Sequence, residues 1–232
     1  MSYKLLTTNN QKIEKGAALG YATAGLHFAP EKLSGFNVCP MASKGCAAAC
    51  LNTSGHGRYQ RIQDARIKKT QRFFMDRENF LTELVKEIET FVRRSRKNGL
   101  TPTIRLNLTS DIQWETVLVN GKTLFEIFPD VQFYDYTKIA RRMLPGAKAQ
   151  TIPNYHLTFS RSESNGALAE MVASAGGNVA VVFNKVPDSY LRKPVVNGDE
   201  TDLRFLDGKG VIVGLTPKGR AKKDFSGFVV RF

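Results

Sequence analysis

The stretch "YHLTFSRSESNGALAEMVASAGGNVAVVFN", residues 155–184, decides the fold class of this chain. Tyr, Thr and Phe alternate with other residues in "YHLTFSRS", as in a strand. "GALAEMVASAG" is built of helix formers and stops at Gly176 and Gly177. "NVAVVFN" is an apolar, β-branched run of strand length. A strand, a helix and a second strand within thirty residues make a βαβ unit, whose two strands lie parallel.

The same alternation extends in both directions. "ALGYATAGLHFAP" (18–30), "TPTIRLNLTSD" (101–111), "VQFYDYT" (131–137) and "GVIVGLTPKG" (210–219) read as strands, and "GKTLFEIFPD" (121–130) as a short helix. A helical stretch spans about 58–97. Within it Asp76 reads as an N-cap, Leu81, Leu84, Val85, Ile88, Phe91 and Val92 share one apolar face, and Gly99 is the stop. The expected architecture is one α/β domain over residues 1–232, a partial (β/α) barrel of about six mainly parallel strands, short of the eight of a closed one.

Composition narrows the class. The 232 residues are 42% hydrophobic, enough for a core. No apolar run is long enough for a membrane span and the start has no signal-peptide core, so no membrane partner and a cytoplasmic location are expected. Lys and Arg total 34 against 21 Asp and Glu, a formal charge of +13, which favours a polyanionic partner such as DNA or RNA. There is no internal repeat.

All three cysteines lie in the loop at 37–59, at Cys39, Cys46 and Cys50. An odd number cannot all close as internal disulfides, and a reducing cytoplasm opposes them in any case. If "SKGCAAACL" starts a helix, Cys46 and Cys50 stand one turn apart on one face, and Ala47, Ala48 and Ala49 leave room beside them. Three thiolates suit a [4Fe-4S] cluster with one iron open to another ligand. Zinc is the alternative, with His56 as fourth ligand, and three unliganded thiols are the plain one.

Strand-end residues form the expected rim of a site: Asn107, Ser110, Asp111, Tyr134, Tyr136 and Lys138, followed by Ser160–Glu163 and Lys218. "RYQRIQDARIKKTQRFF" supplies Arg58, Arg61, Arg66, Lys68, Lys69 and Arg72 as nucleic-acid contacts, with Tyr59, Phe73 and Phe74 interleaved. Asp199, Glu200, Asp202 and Asp207 form one acidic knot, which reads more readily as turns than as a metal site. Gly208 and Gly210 read as the turn before the last strand, His27 and His156 as isolated, and Trp114 as rim or core.

A three-cysteine loop after a first strand, ahead of a helix and a partial parallel barrel, resembles the layout of radical S-adenosylmethionine (SAM) enzymes. That resemblance implies SAM as a co-substrate at the open iron. The spacing here is Cys-x6-Cys-x3-Cys rather than the usual Cys-x3-Cys-x2-Cys, and "RLNLTSD" stands where a Gly-Gly-Glu motif is expected. More closely, "CPMASKGCAAACL", "IRLNLTSDI", "FYDYTK" and "NGDETDLRFLDGKGVIVGLTPKGRAKKD" resemble a family of bacteriophage proteins. This implies a phage origin, a host-cytoplasm location and an iron-sulfur cluster, without specifying a reaction. The functional expectation is a redox or SAM-dependent cluster protein; the alternative is a basic DNA- or RNA-binding accessory protein whose metal centre is structural or redox-sensing.

Overall fold

The computed structural model describes residues 4–8 and 15–232. Among the described residues ten strands are formed: β1 Leu6–Thr7, β2 Tyr21–Leu26, β3 Thr101–Arg105, β4 Gln132–Thr137, β5 Tyr155–Ser160, β6 Val179–Phe183, β7 Ser189–Tyr190, β8 Lys193–Asn197, β9 Ile212–Leu215 and β10 Val229–Val230. The α-helices are α1 Lys44–Ala48, α2 Gln60–Met75, α3 Arg77–Lys97, α4 Leu124–Ile127 and α5 Gly166–Ser174.

One sheet runs in the order β1-β2-β3-β4-β5-β6-β9-β8-β7, with β10 added beside β6. From β2 to β8 every neighbouring pair is parallel; β1 on β2 and β7 on β8 are antiparallel. The sheet is open, ending at β1 on one side and β7 on the other. The expected α/β class and parallel order stand, while the expected partial barrel of about six strands becomes a larger, unclosed sheet. The short β1, β7, β8 and β10 escaped the sequence reading because two-residue strands and "KPVVN" carry almost no periodic signal.

The 58–97 stretch is two helices. The break falls at Asp76, which leaves helical geometry at φ −139°, ψ 52° and precedes α3 as its cap residue. Leu81, Leu84, Ile88 and Val92 bury the α3 face, and Val85 and Phe91 pack at its margin. Together with β-strand residues Ala24, Leu26, Ile104, Phe133, Leu157, Phe159, Val179, Val181 and Ile212 they form the main core. Trp114 belongs to it as well, fully buried beside Phe28 and Phe73.

Alternation along the strands puts a different chemistry on the opposite face. Thr23, Thr103, Arg105, Tyr134 and Thr158 are buried there, covered by the segment around the 3-10 turn Arg204–Leu206. Phe205 packs on Tyr21 and Tyr134, and Asp202 meets Arg105 at 2.6 Å, both groups almost wholly buried. No described helix is long and apolar enough to cross a membrane.

Candidate functional site

The cysteine loop lies across the carboxyl ends of the central parallel strands. Backbone bonds and one carboxylate fix it there. Asp111, in the loop after β3, donates its N–H to Val38 O at 2.8 Å, next to Cys39, and the Cys39 thiol points at Thr109 O at 3.7 Å. From the end of β5, Glu163 accepts from Gly45 N at 2.6 Å and Ser43 Oγ at 2.8 Å. Ser43 in turn caps α1 by accepting from Cys46 N at 3.1 Å. A Cβ at Gly45 would sit 2.7 Å from the Glu163 carboxylate, so this close approach needs glycine.

α1 is shorter than expected. It ends at Ala48, and Cys50 stands beyond it with φ −57°, ψ 132°, opening the next 3-10 turn, Leu51–Thr53. Cys46 and Cys50 are therefore not one helical turn apart on a single face. Three alanines favour a helix, but a five-residue segment has too few internal bonds to carry it further.

The three thiols are free and half-buried. Burial pushes Cys39 up to about 12, a backbone hydrogen bond opposes this, and the charges of Cys50, Cys46 and Asp111 add to the rise. Cys50 is raised too, first by burial and then by Cys46, while Arg66 and Lys138 act in the other direction. The trio therefore shares one electrostatic neighbourhood, with two cations beside it. Among the described residues, however, no three His, Cys, Asp or Glu side chains converge as the ligands of a metal ion. His56 is exposed, its ring 5.9 Å from Tyr59. A groove of about 240 Å³ and mixed polarity, lined by Val38, Pro40, Phe73 and Phe74 together with Asn37, Arg77, Asp111 and Gln113, adjoins Cys39.

The six rim residues divide by role. Lys138 faces the site, its Nζ donating to Ser160 Oγ at 2.6 Å and lying 5.7 Å from the Phe228 ring. Ser110 and Tyr136 are partly exposed; Ser110 donates to Asn107 Oδ1 at 2.8 Å, and the Arg105 guanidinium sits 5.0 Å from the Tyr136 ring. Asn107 is buried and occupied locally, donating to Ile112 O and accepting from Ile112 N. Tyr134 is wholly buried between Phe205 and Arg105.

Asp111 belongs to a buried ionic network beneath the loop. Arg142 binds Glu115 through two bonds of 2.8 and 2.7 Å, Asp111 at 3.0 Å and Tyr155 OH at 2.9 Å. Asp135, wholly buried, accepts from Asn107 N at 2.8 Å and Tyr155 OH at 3.3 Å, and burial pushes it up to about 7 against Arg105. Sequence reading missed Arg142 and Glu115 because their meeting joins segments 27 residues apart that have no shared pattern.

The basic stretch after the loop is only partly a surface. Arg58, Arg61 and Lys68 are exposed. Arg66 is buried and donates to Asn52 Oδ1; Lys69 is buried and donates to Leu5 O at 3.0 Å. Arg72 pairs with Glu83 at 2.9 Å. Phe73 is core and Phe74 is stacked on Phe36. The acidic knot does not converge: Asp199 meets Lys218, Asp202 meets Arg105 and Asp207 meets Arg204, each with its own cation. His27 and His156 are held neutral, chiefly by burial, at about 2 and about 4.

Comparison with known proteins bears on the chain as a whole. The model of one family, described as Gene product 88, matches residues 3–231. No curated protein and no solved structure matches it.

Proposed function

The chain belongs to the gene product 88 family, a phage-type protein family, and on that premise we propose that it is a redox protein whose Cys39, Cys46 and Cys50 hold a [4Fe-4S] cluster. The observation that carries the reading is that all three thiols of the chain lie in the loop held across the carboxyl-end rim of a parallel sheet, near enough for the charges of Cys50 and Cys46 to raise Cys39. A cubane spreads its thiolate ligands over separate irons, so its sulfurs stand further apart than those around one ion. Structural zinc needs a fourth protein ligand, and His56 stands exposed beside Tyr59. Such a cluster supplies one-electron transfer.

The chain's own groups have definite parts in this reading. Glu163, Ser43 and Asp111 position the loop. Lys138 and Arg66 offset the negative charge of the thiolates. Because buried Cys39 and Cys50 are protonated when unliganded, loading releases protons and tightens as pH rises. The resemblance read from the sequence, a three-cysteine loop after a first strand as in radical SAM enzymes, makes SAM the first co-substrate to test, with Lys138, Ser110 and Tyr136 as its contacts.

The test is purification without oxygen, followed by iron and sulfide analysis and a visible spectrum. The reading expects a brown protein absorbing near ~400 nm, with iron and sulfide in equal amounts. Cys39→Ser, Cys46→Ser and Cys50→Ser should each lose most of the iron. Colourless protein holding zinc, or iron retained by all three variants, refutes it. A spectral change of the reduced protein on adding SAM supports the co-substrate; an unchanged spectrum removes SAM and leaves the cluster.

A further inference from the structure

We propose that the basic strap of residues 218–225, with Arg58 and Tyr59, is a binding path for single-stranded nucleic acid running along the outside of the cysteine loop. The strap is placed by three successive contacts. At Gly219, where φ is +55°, a Cβ would run into Ser54 Oγ. Ala221 is buried with Ala49, the neighbour of Cys50, and Val229. A Cβ on Gly45 would meet Ser226 Oγ. The strap therefore lies antiparallel to residues 45–54 and ends where Arg161 donates to Gly227 O.

Its outward groups have the chemistry of a single-strand site. Arg220, Lys222 and Lys223 are exposed and form no ion pair among the described residues, whereas Lys218 is taken up by Asp199 at 2.6 Å. The one acid inside the segment, Asp224, spends its carboxylate on Ser226 and Val229 N. Phe225 is 85% exposed, and Arg231, fixed by its bonds to Asp224 O, lies 4.6 Å from its ring. Tyr59 is 51% exposed with Arg58 at 5.5 Å. Cations that track a backbone, interleaved with ring-and-guanidinium platforms, fit unpaired bases. The strap is a 3-10 turn and a loop, with no helix or ribbon to enter a duplex groove.

This surface is independent of what the cysteines hold. The test is fluorescence anisotropy on the full chain with a labelled oligothymidine of about 20 nucleotides and its duplex form, over a range of KCl. Phe225→Ala should weaken single-strand binding about tenfold. Arg220→Ala/Lys222→Ala/Lys223→Ala should make the log K against log salt slope less negative by about 2, at about 0.7 per cation. Arg93→Ala/Lys97→Ala, on the far end of α3, should match wild type. Iron content and melting temperature should stay at wild-type values in every variant, which separates a failure here from a failure of the cluster reading. Absence of single-strand binding, preference for the duplex, indifference to Phe225→Ala, or an equal loss in the α3 variant overturns the proposal.

Discussion

Arg142→Met removes the one cation that two buried carboxylates beneath the cysteine loop share. The guanidinium is 2% exposed and bonds Glu115 twice, Asp111, Thr137 and Tyr155 OH. Methionine keeps much of the stem, so the change is chiefly the loss of charge and of these bonds. Breaking a buried pair by deleting one partner costs about 3–5 kcal/mol, because the other partner stays buried and unpaired. With a urea slope of about 3 kcal/mol/M, near the top of the usual range for a chain of this size, the midpoint falls by about 1–1.7 M. Acidity should reverse part of the deficit. Burial already raises Asp111, and Arg142 is the first of the groups that oppose the rise. Without it the folded carboxyl binds its proton at higher pH still, so the folded state gains protons relative to the unfolded chain and stability falls as pH rises. The gap between variant and wild type therefore narrows from about pH 7.5 to about pH 5.5. Urea titrations followed by circular dichroism at both pH values measure this. A midpoint shift under about 0.3 M, or a gap that widens on acidification, refutes the reasoning.

Two further outcomes bear on the same region. Asp135 is raised to about 7 by burial, against about 3.9 for an unfolded aspartate, so its contribution is present at low pH and is lost as pH rises through that window. Asp135→Asn should flatten the stability profile between about pH 5 and 8 in urea titrations, and an unchanged slope would show that Asp135 titrates normally. Glu163→Ala removes the bonds to Gly45 N and Ser43 Oγ, which hold the Glu163 carboxyl below its ordinary range despite the partial burial that raises it. Thiol labelling of the metal-free protein should quicken several-fold while melting falls by only about 2–4 °C, as expected for about 1 kcal/mol lost at the surface; labelling at the wild-type rate would mean that the loop is held by other contacts.

The sequence by itself determined the α/β class, the parallel strands, the cap position at Asp76 and the gathering of the thiols into one loop. Each is a local matter: strand and helix periods, caps and glycine stops are set by neighbours within a few residues. Tertiary structure alone decided that the sheet stays open, that "KPVVN" pairs with β9, and that α1 stops before Cys50. It also decided which charges are surface. Arg66 and Lys69 look identical in sequence to Arg61 and Lys68, but helical phase and the packing of α2 turn the first two inward to bond Asn52 and Leu5. Likewise "KGRAKK" becomes a strap beside Cys50 only because Ala221 finds Ala49, about 170 residues earlier in the chain. Long-range pairing of this kind depends on shape and burial, which no local pattern encodes.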